Sequence, residues 1–362
     1  MTKKTEFHGS DLEKIEEYYH IPKEEIVCFS ANVNPLGLSK NVKKKLAENL
    51  DIISRYPDRN YTSLKSAIGT YCGADPAHIV VGNGSTELIS LLISQRMPKK
   101  ALILGPTYSE YARELSLAGA ATEYYQLKES DDFVLDVSDF IRAFSEDTDL
   151  VIICNPNNPT SSALCTKEIT EILEACKKRD IFVMIDETYA EFAPDISEIT
   201  AIPLAEHYDN FMVIRGVSKF FAAPGLRFGY GITSSPAFLK ALLEHQNPWS
   251  LNTIGAYAGE LMLSDKEYIK ETRTLILSER ERMYKKLSEL PQYKPYKAYG
   301  NFILVQITKE NVTSSDIFER AIKEKLMIRD CSSFESLAGE YIRFCIMNPE
   351  DNSHLLEVLS RI

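Results

Sequence analysis

The chain has 362 residues, with 41 Lys and Arg against 52 Asp and Glu, a formal charge of −11 at pH 7. An acidic chain whose longest basic run is Lys43-Lys44-Lys45 is a poor partner for nucleic acid, and no apolar stretch is long enough to span a membrane. Seven cysteines with no CxxC pair or His/Cys cluster argue against a metal site or a disulfide framework. With a polar start over residues 1–8 that does not read as a signal peptide, they are expected to be reduced thiols of a cytoplasmic protein.

In chain order, residues 11–20 place Leu12, Ile15 and Tyr19 on one face of a short helix that Ser10 would cap. Residues 26–29 read as a strand leading into a loop, 30–37, that contains Asn32 and is rich in Asn, Pro and Gly. Helices are expected over 40–50 and 61–71, with Arg55-Tyr56-Pro57-Asp58 as the break between them. A strand over 78–81 then meets Gly82-Asn83-Gly84-Ser85-Thr86 and an apolar helix, which turns backbone N–H groups and two hydroxyls toward one point. A Gly-x-Gly turn by itself only permits a tight bend; beside a phosphate-binding cation it becomes an anion cradle.

Buried strands over 101–104, 150–154 and 181–185 each end in a polar turn. The first closes at Gly105-Pro106-Thr107-Tyr108, where a tyrosine can stack on a flat ring. The second closes at Asn155-Pro156-Asn157-Asn158-Pro159, whose prolines hold a rigid turn that aims an Asn amide. The third closes at Asp186-Glu187-Thr188-Tyr189. An aspartate there serves as a helix cap or, against a pyridine nitrogen, as the carboxylate that keeps that nitrogen protonated. Helices over 112–117 and 167–178 alternate with these strands. The alternation predicts an α/β fold with a mostly parallel sheet covered on both faces and ligands at the carboxyl ends of its strands.

The apolar run 211–214 delivers Ser218 and Lys219 into a loop, and a second run, 226–232, carries Arg227 back toward the sheet. Flanked by Phe220 and Phe221, Lys219 is expected to be partly desolvated, which lowers its pKa and suits it to Schiff-base chemistry. Arg227 offers a rigid fork for a phosphate. A reactive lysine beside a phosphate clamp suggests pyridoxal 5'-phosphate. From about residue 270 a long charged helix over 267–287, strands over 300–305 and 341–346 and a helix over 314–325 predict a small α+β domain. We expect an N-terminal arm over 1–45 packing with that domain, a large cofactor-binding domain over 46–265, and the small domain over 266–362.

Asn158, Asp186, Tyr189, Lys219 and Arg227, in this order and spacing, resemble the fold-type I pyridoxal-phosphate enzymes of the class I/II aminotransferase group, over essentially the whole chain. The resemblance implies an aspartate aminotransferase-like large domain and a Schiff base at Lys219. It also implies phosphate contacts from Gly84, Ser85, Thr86, Ser218 and Arg227, and ring stacking by Tyr108. Asp186 would pair with the pyridine nitrogen, while Asn158 and Tyr189 would contact the phenolic oxygen. Phe7-His8-Gly9-Ser10, the loop 29–37 and Ile328-Arg329-Asp330-Cys331-Ser332-Ser333-Phe334 look like the L-threonine-O-3-phosphate decarboxylases of cobalamin synthesis. Ser54-Arg55-Tyr56-Pro57-Asp58 suits these and the histidinol-phosphate aminotransferases alike. It implies a homodimer in which Tyr56 reaches the cofactor phosphate of the neighbouring subunit. By the same resemblance Arg343 takes a substrate carboxylate, Arg329 with His8 takes a substrate phosphate, and Gly9, Asn32 and Asn158 complete the pocket. Two positions depart from the family pattern: Gly216 stands where relatives carry a hydroxyl residue, and Ser161 where glycine is usual. Decarboxylation and transamination both stay open, because the Cα bond held perpendicular to the ring decides between them.

Overall fold

The computed structural model describes residues 9–334 and 337–362. After β1 (Val27–Cys28), the chain forms β2 (Ile79–Gly82), β3 (Lys100–Gly105), β4 (Ala121–Gln126), β5 (Leu150–Cys154), β6 (Phe182–Asp186), β7 (Phe211–Gly216) and β8 (Gly229–Ile232). These last seven make one sheet in the order β2-β8-β7-β6-β5-β3-β4, in which β8 alone runs against its neighbours. The later chain supplies β9 (Tyr293–Pro295), β10 (Phe302–Ile307), β11 (Leu326–Met327), β12 (Arg329–Asp330) and β13 (Tyr341–Cys345). Four of them form an antiparallel sheet, β12-β13-β10-β9, and β11 pairs with β1.

The central strands are continuous apolar runs because both faces of the sheet are covered. Side chains alternate along them. Ile103, Ile152, Met184 and Met212 pack with Leu88, Leu92, Tyr111 and Phe238 of helices on one face. Leu102, Val151, Val183 and Val213 pack with Ile169, Ile172 and Leu173 of the helix Thr166–Lys177 on the other. Each fully buried aliphatic side chain in such a core contributes roughly 1.5–3 kcal/mol. The polar residue that follows each run therefore has one place to go, the carboxyl edge of the sheet.

Some expectations need correction. The helix Leu12–Tyr19 has Asp11, not Ser10, at its N-cap position. The run 226–232 is not one strand: Pro224–Leu226 is a short turn, Arg227 has φ 52°, and β8 begins only at Gly229. Pro224 fixes the turn, and the left-handed conformation of Arg227 takes it out of the sheet. Edge strand β4 and the helices Pro236–His245 and Thr253–Ser264 carry no pattern that the sequence reading used. Ser161, also left-handed at φ 59°, is buried, and its hydroxyl accepts a hydrogen bond from Gly300 N at 2.9 Å. The residue that stands in for glycine thus ties the turn after β5 to the segment before β10.

Candidate active site

Gly84, with φ +85°, begins the helix Ser85–Arg96 at the carboxyl end of β2. A Cβ there would lie 2.6 Å from Arg227 Nη2, so glycine is what lets the guanidinium close on the helix N-terminus. Ser85 and Thr86 line one cavity of about 620 Å3 together with Ser218 and Arg227 from the loop after β7. At Gly216 an added Cβ would meet only ordinary contacts, Phe228 O at 3.5 Å and Ser85 Oγ at 3.7 Å, so room for the missing hydroxyl exists.

Lys219 also lines this cavity. Its Nζ donates to Ala31 O at 2.6 Å, and its carbonyl accepts from Asn34 N at 3.1 Å. Asn34 Nδ2 in turn reaches Phe220 O at 2.7 Å, Thr272 Oγ1 at 2.8 Å and the Tyr268 hydroxyl at 3.0 Å, which moors the lysine loop to the N-terminal segment. Burial lowers the Lys219 pKa to about 8, and the Arg343 and Arg227 charges act in the same direction.

Asp186 ends β6 as a buried carboxylate. Oδ1 accepts from Thr188 N at 2.9 Å and Thr188 Oγ1 at 2.5 Å; Oδ2 accepts from the Tyr111 hydroxyl at 2.6 Å. Tyr108, whose phenol burial pushes up to about 12, meets Tyr111 edge-on with centroids 5.6 Å apart. The Tyr189 hydroxyl accepts from Asn32 Nδ2 at 3.3 Å, and burial raises its pKa.

The opposite wall comes from the later sheet. Arg343, in the middle of β13, donates from Nη1 to Asn158 Oδ1 and from Nη2 to Ser30 O at 2.7 Å. Ser30 Oγ donates to Gly9 O at 2.5 Å, and a Cβ on Gly9 would stand 2.7 Å from Ser30 O. Arg329 is the register partner of Arg343 across β12 and β13, and its Nη2 donates to Ser333 Oγ at 2.6 Å.

The structure thus gathers Gly9, Asn32, Ser85, Thr86 and Tyr108 with Asn158, Asp186, Tyr189, Ser218 and Lys219 around one cavity, closed by Arg227, Arg329 and Arg343; Gly84 stands directly behind Arg227. Of two further expected residues, His8 lies outside the described residues and Tyr56 is expected at the neighbouring subunit's site. Tyr56 is 81% exposed, with its ring against Trp249 at 4.9 Å. Tyr111, Thr188, Asn34 and Ser30 were missed by sequence reasoning. Tyr111 sits in the apolar face of its helix and reads as core; Asn34 and Ser30 act on residues far along the chain, which no local pattern reports.

Among the described residues that line the cavity Asp186 is the sole carboxylate, against Lys219, Arg227, Arg329 and Arg343. In a chain of charge −11 this local excess of cations favours an anionic guest. Asn32 Oδ1 and Arg343 Nε are buried without a hydrogen-bond partner among the described residues, and both residues line the cavity. Unpaired buried polar atoms of this kind call for a polar ligand. A helix N-terminus with two hydroxyls and an arginine for a phosphate, a desolvated lysine for a carbonyl and a buried carboxylate for a ring nitrogen fit pyridoxal phosphate.

The family described as aminotransferase class I and II matches residues 24–359. The chain belongs to this family. Class I/II members depend on pyridoxal 5'-phosphate, and this chain is a pyridoxal-phosphate enzyme with an aspartate aminotransferase-like fold. It is 32% identical to a threonine-phosphate decarboxylase of Salmonella typhimurium, over 98% of this chain and 96% of that one. It is 30% identical to a histidinol-phosphate aminotransferase of Methanosphaera stadtmanae, over 99% and 96% of the two chains. The crystal structure of the histidinol-phosphate aminotransferase from Clostridium acetobutylicum superposes with a TM-score of 0.86 at 32% identity, covering 92% of this chain and 98% of that one. Among the described residues no helix is long and apolar enough to cross a membrane.

Proposed function

We propose that the enzyme decarboxylates O-phospho-L-threonine to (R)-1-aminopropan-2-yl phosphate, a building block for a corrinoid side chain, in the cytoplasm. The observation that carries this reading is the pairing of Arg329 with Arg343 on adjacent strands of one cavity wall. Two guanidiniums suit a substrate with two anionic groups, and phosphothreonine brings a carboxylate and a phosphate. Histidinol phosphate brings only the phosphate. The resemblance in sequence to the Salmonella decarboxylase supports the same choice.

Bound at this site, pyridoxal phosphate supplies a protonated ring that accepts the electron pair of a breaking Cα bond. Ser85, Thr86, Ser218 and Arg227 would hold its phosphate, Tyr108 would stack on the ring, Asp186 would take the ring N–H, and Asn158 and Tyr189 would face the phenolic oxygen. On the substrate, Arg343 would orient the carboxylate, Arg329 with His8 would take the phosphate, and Gly9 and Asn32 would close the pocket. The bond from Cα to the carboxylate breaks, carbon dioxide leaves, and Lys219 delivers a proton to Cα. A phosphate left without cations in a buried site would cost several kcal/mol, which Arg329 and His8 would offset. O-phosphoserine, smaller by one methyl, would be discriminated against by only about 1–3 kcal/mol.

Transamination of histidinol phosphate is the second reading, supported by the close superposition on the clostridial aminotransferase. Carboxyl-labelled O-phospho-L-threonine, given to the cofactor-loaded enzyme with no keto acid present, separates the two. Sustained release of labelled carbon dioxide is the expected result. No release, together with transfer of the amino group of histidinol phosphate to 2-oxoglutarate to give glutamate, would establish the aminotransferase instead.

We further propose a homodimer. Leu50, Ile53, Tyr56 and Trp249 are all exposed, beside a second cavity of about 390 Å3 lined by Ile52, Tyr56, Leu64 and Tyr257. A second copy covering this apolar patch would carry Tyr56 to the neighbouring phosphate site. Sedimentation at micromolar concentration should give twice the chain mass of 41.0 kDa; a monomer that binds cofactor normally would refute the shared site.

A further inference from the structure

We propose that Tyr111 is a positioning residue for Asp186, turning its carboxylate so that a single acceptor site faces the cavity. The inference rests on the reading that Asp186 takes the ring N–H of the cofactor. A carboxylate offers about four lone-pair positions. Thr188 fills two of them on Oδ1, with its N–H at 2.9 Å and its hydroxyl at 2.5 Å. Tyr111 fills a third, on Oδ2 at 2.6 Å. One remains, and Asp186 lines the cavity while only 4% exposed, so one N–H donor completes it with little competition from water.

Among the described residues Tyr111 is the one hydrogen-bond donor to Oδ2. The cross-strand partners of Asp186 are Ile214, which is apolar, and Cys154, whose thiol donates to Pro156 O and is held protonated by burial. Tyr111 is fully buried on the helix Glu110–Leu117, packed in the apolar layer with Ile103, Ile152 and Met184. Burial, and next the Asp186 charge, hold its phenol well above the usual tyrosine range, so it stays a donor throughout the working pH range. The same ring meets Tyr108 nearly at right angles, 86°, with centroids 5.6 Å apart. One side chain therefore sets two surfaces of the ring site, the stacking face through its own ring and the acidic edge through its hydroxyl. Asp186 and Tyr111 lie 75 residues apart in sequence, and the apolar layer that Tyr111 shares with the sheet brings them together.

The experiment is titration of cofactor-free protein with pyridoxal phosphate, read by the circular dichroism of the bound cofactor and by the dissociation constant. Tyr111→Phe keeps the ring against Tyr108 and removes only the hydroxyl. We expect about tenfold weaker binding, the loss typical of a hydrogen bond to a charged group, and a reduced dichroic signal at saturation. The cofactor-free variant should stay folded and melt somewhat below the parent, because a buried hydrogen bond is lost. Asp186→Asn should also weaken binding, and adding Tyr111→Phe to it should cost nothing more, because Tyr111 acts through the carboxylate. Parental binding by Tyr111→Phe while Asp186→Asn is impaired, or losses that add in the double variant, would overturn the inference and leave the role of Asp186 standing. Parental binding by Asp186→Asn would instead remove the reading of Asp186, and the inference with it.

Discussion

Burying Lys219 takes its amine from the ordinary 10.5 to about 8, and the sign of that shift sets the pH response of the cofactor-free enzyme. Below pH 8 the amine is charged and cannot attack a carbonyl; above it the neutral form accumulates. Cofactor capture should therefore rise through pH 8 and level off, where an exposed lysine would still be climbing toward 10.5. Stopped-flow absorbance across pH 6–10 reads the midpoint, on the order of the shift expected for a buried amine, and Arg343→Gln should move it upward by removing a neighbouring positive charge. Gly84 makes a second test. Alanine there would force φ +85° on a residue with a Cβ and set that Cβ 2.6 Å from Arg227 Nη2. The backbone term alone is about 1–2 kcal/mol, so Gly84→Ala should weaken cofactor binding about tenfold, measured by equilibrium dialysis. These residues were legible in the sequence because each follows an apolar run and so must stand at a sheet edge. Tyr111 was not legible, since a tyrosine on the apolar face of a helix carries no sign that its hydroxyl meets a carboxylate.

At the scale of elements, the loop from β7 to β8 holds its shape through a residue of another segment. Asn34 pairs by its N–H with the Lys219 carbonyl and by its amide with Phe220 O, Thr272 and Tyr268. Asn34→Ala strands several buried groups, each worth about 1–3 kcal/mol. It should lower the melting temperature and open residues 216–223 to limited proteolysis, with cofactor lost sooner than in the parent; unchanged cleavage would count against the mooring. Strands β5 and β6 were readable almost to the residue, being apolar runs closed by prolines or an acid. β4 was not, because an edge strand with most of its residues exposed or half-buried needs no hydrophobic alternation. Nor could the sequence show that β12 and β13 pair Arg329 with Arg343, since register is a property of the assembled sheet.

For the molecule as a whole, a pH effect on stability should also come from outside the cavity. Glu191 is buried beside the Arg215–Glu187 ion pair, and its pKa is raised to about 7, first by burial, against the pull of Arg215 and the Tyr71 hydroxyl, with the Glu187 charge adding to the rise. A carboxyl whose folded pKa lies above its unfolded value gives its full stability below about pH 4.5 and loses it as pH rises through 7. Glu191→Gln should leave the melting temperature nearly unchanged at pH 5 and raise it at pH 8, by up to about 3 kcal/mol of stability. Thermal scans at the two pH values check it, and equal effects at both would show that Glu191 does not titrate.

The hydrogen bond from Arg343 to Ser30 O spans 313 positions, and that from Lys219 to Ala31 O spans 188. A chain emerging from the ribosome makes Ser30 and Ala31 early and the guanidinium late. Until β13 is synthesised, the main sheet can be in place while one wall of the cleft is absent, with Lys219 wet and as basic as any surface lysine. Desolvation of the amine should therefore be completed only once the last third of the chain is in place.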